Sequence, residues 1–260
     1  MRTPARTTVA ISLKMYFSHA RTLDYCRALA ALAAADEGVQ TGATDLVVLP
    51  TFVAIPAALA AVHGTRMLVG AQDLAAEDSG AYTGEVSGAE LAEVGCTHVV
   101  VGHAERRTEF GETEAVVAAK TFAAFRNGLV PILCVGEPAR ADPAAAADVC
   151  VRQVRSAVPD RGAAAAVPRM IVAYEPYWAI GASQPASTTY VAEVCQRLRT
   201  TLSDHLDDAA IIYGGSAGPG LLPDLGGTVD GLFLGRFAHD PQAVAGVLTE
   251  AASEPTLGAS

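Results

Sequence analysis

Eight short runs of apolar, strand-forming residues recur along this chain, and longer stretches rich in alanine and leucine separate them. The runs are almost continuously apolar, with no apolar/polar alternation. This pattern is typical of strands that are buried on both faces, as in a parallel sheet covered by helices. It predicts strands at residues 9–13, 46–49, 67–72, 98–102, 131–135, 170–174, 210–213 and 231–234.

The stretches between the strands carry apolar residues at helical spacing. They predict helices at residues 22–35, 113–127, 144–158 and 189–206, with Gly128 as a C-cap. Strand–helix units in series predict an α/β fold closed into a single (β/α)8 barrel, and an open doubly wound sheet is the alternative. A length of 260 residues suits one barrel domain. We expect this domain to span residues 1–260, with frayed ends at 1–7 and 253–260.

Charge and composition narrow the partners that this chain can have. Its net charge is −10 and no basic stripe is present, which argues against nucleic acid. No uncharged apolar run approaches 18 residues, so we expect no membrane span. Five scattered cysteines without a Cys-x-x-Cys pair favour reduced thiols in the cytoplasm over disulfides or a zinc site. An anionic ligand would need local positive groups, such as a lysine and converging backbone N–H groups.

In a barrel of this kind, functional residues follow the C-terminal ends of the strands. Polar residues and glycines follow seven of the predicted strands, and the fold would bring them to one mouth. They are Lys14, Gln72, Asp73, His103, Glu105, Glu137, Glu175, the Gly214-Gly215-Ser216 run and the Gly235-Arg236 pair. This convergence is the main functional signal in the sequence.

The segment Val-Gly-His-Ala-Glu-Arg-Arg, residues 101–107, follows the fourth strand. His103 would stand at the start of a helical turn, where the partial positive charge favours a neutral imidazole that can donate a hydrogen bond to a carbonyl oxygen. A purely structural histidine is the alternative. We expect Glu105 to form an ion pair with the neighbouring Arg106 and Arg107.

The segment Ala-Tyr-Glu-Pro-Tyr-Trp-Ala-Ile-Gly-Ala, residues 173–182, follows the sixth strand. Glu175 is its single acidic residue, and burial beside Trp178 and Ile180 would strengthen a carboxylate as a base. An apolar loop at this position suits a lid that excludes water. Glycines at the ends of strands seven and eight let backbone N–H groups approach a phosphate, and Lys14 could neutralise the anion.

Together these segments resemble the triosephosphate isomerase family over roughly residues 8–250. The strongest pieces are Gly-His-Ala-Glu-Arg-Arg and Ala-Tyr-Glu-Pro-Tyr-Trp-Ala-Ile-Gly; Gly70-Ala-Gln, Tyr82-Thr-Gly-Glu, residues 131–137 and Tyr213-Gly-Gly-Ser support them. The resemblance implies a TIM barrel that interconverts dihydroxyacetone phosphate and glyceraldehyde 3-phosphate without metal or cofactor.

The resemblance also implies roles for individual residues, which are the family's known roles. Glu175 would be the base, His103 the electrophile and Lys14 the group that stabilises the anion. Ser12 would lie near the substrate's oxygens, and Gly181, Ser216, Gly235 and the amide of Arg236 match the phosphate-binding positions. Residues 176–186 match a closing lid, and residues 73–87 match a loop that reaches into a second subunit, so a homodimer is implied.

Several positions depart from the family pattern. Asn-x-Lys-Met has become Ser12-Leu13-Lys14-Met15, Gly-His-Ser-Glu has become Gly-His-Ala104-Glu, and the final Gly-Gly has become Gly235-Arg236; the lid end Thr-Gly-Lys-Thr is also replaced, by residues 182–185. These changes leave two alternatives to the triose reaction. One is isomerisation of a larger keto-sugar phosphate such as a tetrulose phosphate, and the other is a non-catalytic sugar-phosphate sensor.

Overall fold

Eight parallel strands close into a barrel in the computed structural model, which describes residues 6–158, 168–181, 185–206 and 209–253. The strands are β1 (Thr7–Ser12), β2 (Thr44–Leu49), β3 (Leu68–Ala71), β4 (His98–Val101), β5 (Val130–Val135), β6 (Met170–Tyr174), β7 (Ala209–Tyr213) and β8 (Gly231–Leu234). Because β1 pairs with both β2 and β8, the predicted closed (β/α)8 barrel is confirmed and the open sheet is wrong.

Helices surround the barrel in the described ranges. They are α1 (His19–Ala35), α2 (Glu37–Thr41), α3 (Ile55–Val62), α4 (Gly88–Val94), α5 (Ala104–Glu109), α6 (Glu114–Arg126), α7 (Pro143–Ala157), α8 (Thr188–Leu202), α9 (Leu221–Asp224) and α10 (Pro241–Ser253). Short 3-10 turns cover Phe52–Ala54, Tyr177–Ala179 and Arg236–His239. The four predicted helices correspond to α1, α6, α7 and α8.

Side-chain caps explain where these four helices begin. Ser18, Thr113, Asp142 and Ser187 each accept a hydrogen bond from a backbone N–H in the first turn of α1, α6, α7 and α8. The cap at Ser18 starts α1 three residues before the predicted boundary. After α6, Gly128 adopts a φ of 71°, which suits glycine at a helix C-terminus.

The core has two layers. Seven of the eight strands contribute buried residues to both, and β3 adds the partly buried Leu68 to the interior layer. Along β1, Ala10 faces the barrel interior, whereas Val9 and Ile11 face the helices. The interior layer contains Ala10, Val47, Leu49, Val100, Ile132, Cys134, Ile171, Ala173, Ile212 and Phe233. Since both faces of every strand are covered, the strands are continuously apolar, as their sequence indicates.

The ends of the chain differ from the predicted frayed segments at two residues. Thr7 already pairs with Thr44 in β1, and Ser253 is the last residue of α10. The rest of the predicted C-terminal frayed segment, and residues 1–5 of the N-terminal one, lie outside the described residues. In the described ranges, no helix is long and apolar enough to cross a membrane.

Candidate active site

A cavity of about 430 Å³ opens at the C-terminal ends of the strands. All eight predicted site residues line it: Ser12, Lys14, His103, Glu175, Gly181, Ser216, Gly235 and Arg236. They come from the ends of β1, β4, β6, β7 and β8 and from the loops that follow. The fold therefore brings residues far apart in the sequence to one small volume.

His103 is the N-cap of α5 and is 7% exposed. Its Nδ1 accepts a hydrogen bond of 3.2 Å from the backbone N–H of Glu105. Because Nδ1 acts as an acceptor, the neutral ring carries its proton on Nε2. Nε2 lies 3.6 Å from Oε1 of Glu175. The imidazole therefore presents an N–H donor beside the glutamate.

Glu175 follows β6 directly and is 3% exposed. Its backbone N–H donates to the carbonyl of Val135 at 2.8 Å, which continues the pairing with β5. Its Oε2 is buried and has no hydrogen-bond partner among the described residues. A buried carboxylate oxygen without a donor is costly, so a purely structural role does not account for this arrangement.

Two neighbours shape the surroundings of Glu175. A Cβ atom at Gly214 would lie 2.7 Å from Cγ of Glu175, so this position has no room for a side chain. Cys134 lies in the barrel interior, and burial, followed by the charge of Glu175, raises the pKa of its thiol well above the ordinary value. The thiol therefore stays neutral and adds no second negative charge.

Lys14 has a φ of 46°, the one positive φ of a non-glycine residue among the described residues. Gln72 holds this backbone by donating its Nε2 to the carbonyls of Lys14 (3.1 Å) and Leu49 (2.9 Å). A left-handed lysine costs on the order of 1 kcal/mol, and such strain is concentrated at functional sites. It directs Nζ of Lys14 to Oε1 of Glu105, 2.6 Å away.

The predicted pairing of Glu105 with Arg106 and Arg107 is wrong. Residues one or two apart on a helix point in different directions, so these arginines leave Glu105 free to face the cavity. Arg106 pairs with Glu112 at 2.6 Å and Arg107 with Glu114 at 2.7 Å. Glu105 instead joins the end of β4 to the end of β1 through Lys14.

Glycines from the loops after β6, β7 and β8 form one end of the cavity. Gly181 has a φ of 70°, which favours glycine, and a Cβ atom at Gly215 would overlap the hydroxyl of Tyr213. Ser216 and Gly235 line the same end. Bare backbone at these positions lets N–H groups approach an anion.

Three other residues predicted at the mouth do not line the cavity. Glu137 is 1% exposed and accepts hydrogen bonds from Trp178 (2.6 Å), Tyr190 (2.9 Å) and Tyr174 (3.2 Å). Asp73 pairs with Lys120 and Arg106, and Gln72 holds Lys14. Of the two apolar residues predicted beside Glu175, Ile180 lines the same cavity, and Trp178 donates its indole N–H to Glu137.

The structure adds cavity residues that the sequence motifs did not reveal. Tyr16 and Phe237 form part of the outer wall, and Phe233 lies edge-on to His103 with ring centroids 6.5 Å apart. Tyr16 stands two residues beyond Lys14, and Phe237 follows Arg236. Their proximity to predicted site residues was the signal available in the sequence, but aromatic residues at these places are equally compatible with a core role.

The barrel and its cavity define the class of protein: a (β/α)8 barrel whose mouth brings together a buried glutamate, an imidazole, a lysine and glycine-lined backbone. The family model described as triosephosphate isomerase matches residues 7–251. The chain belongs to the triosephosphate isomerase family.

Individual relatives agree with this assignment. The chain is 47% identical to the L-erythrulose-1-phosphate isomerase of Pectobacterium atrosepticum, over 95% of this chain and 96% of the relative. It is 42% identical to the triosephosphate isomerase of Moorella thermoacetica over 81% of this chain and 87% of the relative. It is 40% identical to that of Alkalilimnicola ehrlichii over 94% and 97%.

Proposed function

We propose that this protein isomerises a short phosphorylated ketose by moving a proton between adjacent carbons. The observation that carries the proposal is the position of Glu175 and His103. The carboxylate and the Nε2 of the imidazole lie 3.6 Å apart at one cavity, and Oε2 of the glutamate is unpartnered within the described residues. A base and a hydrogen-bond donor at this separation can act on neighbouring atoms of one small substrate.

In the proposed reaction, Glu175 removes a proton from the carbon next to the ketone. The electron pair of that C–H bond forms a carbon–carbon double bond, and negative charge develops on the former carbonyl oxygen. The Nε2–H of His103 donates to this oxygen, and Lys14 stabilises the charge. The proton returns from Glu175 to the former carbonyl carbon. The hydroxyl proton of the neighbouring carbon passes by way of Nε2 of His103 to the former carbonyl oxygen, so the carbonyl group moves to the neighbouring carbon.

The phosphate would bind at the glycine-lined end of the cavity, against Gly181, Ser216 and Gly235. Backbone N–H groups and a nearby cation suit a dianion even though the whole chain is acidic. The segment 176–186 would close over the substrate as a lid, which would keep water from the enediolate. Residues 182–184 lie outside the described residues.

For the substrate, we favour a four-carbon ketose phosphate such as L-erythrulose 1-phosphate. The relative with 47% identity over nearly the full length of both chains carries that name. Counted from the phosphate, the proton moves between the same two carbons as in dihydroxyacetone phosphate, and the longer sugar adds one hydroxymethyl group. Ser12, shorter than the asparagine typical of the family, leaves room in the cavity.

Dihydroxyacetone phosphate is the second candidate, because the family match and the other two relatives are named for triose phosphate isomerisation. Measurement of kcat/KM for both ketose phosphates on one preparation separates the candidates. We expect at least about tenfold preference for L-erythrulose 1-phosphate, roughly 1.4 kcal/mol in transition-state binding. Equal or better use of dihydroxyacetone phosphate would make the triose the favoured substrate. Binding of both ketose phosphates without turnover of either would favour the non-catalytic sensor.

We also propose that the protein acts as a homodimer in the cytoplasm. Large apolar side chains on the loops around the mouth are exposed in the single chain: Met15 (89%), Val53 (81%), Phe110 (69%) and Tyr82 (48%). Exposed apolar groups of this size often mark a protein interface. Light scattering should give twice the 26.7 kDa mass of the chain, and the mass of one chain at micromolar concentration would exclude this dimer.

A further inference from the structure

One cationic side chain that lines the cavity has no ion-pair partner among the described residues. Lys14 is paired with Glu105 at 2.6 Å, so its charge is largely balanced before substrate arrives. Glu175 adds a negative charge, which opposes an incoming phosphate dianion. Arg236 lines the same cavity, is exposed, and has no hydrogen bond or ion pair from its side chain to any described residue. Its guanidinium can turn toward an anion without breaking an existing bond.

The backbone that carries Arg236 is held firmly. Arg236 begins the 3-10 turn Arg236–His239 directly after Gly235. The hydroxyl of Tyr25 donates to the carbonyl of Ala238 in this turn. The ring of His239 packs against Phe17 and Tyr16, with centroids 4.6 and 5.3 Å apart. The loop after β8 is therefore joined to the loop after β1, and the arginine projects from a fixed base beside the anion pocket.

Two arginines act on this turn through their charge. Arg21 and Arg236 contribute, after burial, to lowering the pKa of His239, so their charges act on this rim of the cavity. Arg21 is stacked over the ring of Phe17, 3.9 Å from its centroid, and does not line the cavity. Arg236 is therefore the member of this pair that is placed to touch a bound ligand.

We propose that the side chain of Arg236 grips the substrate's phosphate and is a specificity-determining residue for phosphorylated over unphosphorylated ketoses. This inference rests on the proposed function for its substrate, and it goes further by assigning phosphate recognition to a side chain as well as to the backbone. A guanidinium offers two parallel N–H donors to a phosphate, and such charge-assisted pairs are stronger than amide contacts.

The test compares Arg236→Gln and Arg236→Lys with the unchanged protein, using inorganic phosphate as the probe. Calorimetry should show phosphate binding weakened about tenfold or more in R236Q and less in R236K. With the ketose phosphate, R236Q should raise KM by a similar factor and leave kcat within about twofold, because a remote phosphate contact mainly supports binding. Arg21→Gln is the matched control and should change phosphate affinity less than about threefold.

Equal phosphate affinity in the unchanged protein and R236Q would overturn the assignment, as would an equal loss in the Arg21→Gln control. Circular dichroism and melting temperature show whether R236Q is folded, and R236K, which keeps the charge, should partly restore binding. The binding arm does not depend on turnover. An unchanged protein that binds phosphate through Arg236 but isomerises neither ketose phosphate would refute the proposed function and leave this inference intact.

Discussion

At the scale of single residues, the site depends on where Glu175 can place its carboxylate. The side chain is enclosed by Gly214, which follows β7, and by the imidazole of His103, and its Oε2 has no donor among the described residues. The close approach of Gly214 is what keeps the carboxylate over the cavity.

Gly214→Ala tests this enclosure. The new methyl group would lie 2.7 Å from Cγ of Glu175, so the carboxylate must move by a large part of an ångström. We expect kcat to fall about 10- to 100-fold, since small displacements of a reacting group are costly. Gly246→Ala is the control, because its nearest neighbour lies at an ordinary 3.6 Å and activity should not change. Full activity in G214A would show that the carboxylate position is not set by this contact.

At the scale of elements, Glu137 joins three segments that the sequence gives no reason to connect. Its carboxylate accepts hydrogen bonds from Tyr174 at the end of β6, from Trp178 in the 3-10 turn Tyr177–Ala179, and from Tyr190 in α8. Its backbone carbonyl also accepts the N–H of Tyr177. The segment proposed as a lid therefore begins from an anchored position.

Glu137→Gln replaces one acceptor oxygen by an amide group that cannot accept from these donors. We expect a loss of about 1–3 kcal/mol of unfolding free energy, because the hydrogen bonds to a carboxylate are replaced by weaker bonds to a neutral amide. The lid would also start from a less defined position, so kcat should fall several-fold. Thermal melting and steady-state kinetics measure the two effects, and the exposed Glu109→Gln is the control. An unchanged melting temperature would contradict the anchoring role.

The elements also show how far sequence reasoning reaches. Strand positions and four helices follow from apolar periodicity and capping residues, which are local. The hydrogen-bond and ion-pair partners of Glu105, Glu137 and Trp178 could not be predicted, because each partner lies far away in the sequence, on a different element. The convergence of Ser12, Lys14, His103 and Glu175 was predictable from the strand count, since one rule of barrel topology places all strand ends at the same mouth.

At the scale of the whole molecule, the end of the barrel opposite the cavity holds a buried histidine. His98 at the start of β4 is 3% exposed; its Nδ1 contacts the hydroxyl of Thr97 at 2.8 Å, and its Nε2 has no partner among the described residues. Burial lowers its pKa to about 4, although the charge of Asp45 opposes this. The folded state therefore accommodates the neutral ring and disfavours the charged one.

This histidine predicts a loss of stability in mild acid. The folded pKa lies below the unfolded value of about 6.5, so the unfolded chain binds the proton first. The contribution is complete above pH 6.5 and is lost as the pH falls toward 4. The stability lost at pH 5, relative to neutral pH, is about 2 kcal/mol by linkage. Urea unfolding at pH 7 and pH 5 measures it, and His98→Gln should reduce the pH difference; an equal difference in both proteins would contradict the assignment.

Deuterium exchange shows whether Glu175 carries the proton in the proposed isomerisation. Incubation of the ketose phosphate with enzyme in D2O should place deuterium on the carbon beside the carbonyl, as followed by NMR. Glu175→Gln should still bind inorganic phosphate, but its exchange and isomerisation should both fall by about 10²- to 10⁴-fold. Exchange at the unchanged rate in E175Q, in a protein that still binds phosphate, would show that another group moves the proton.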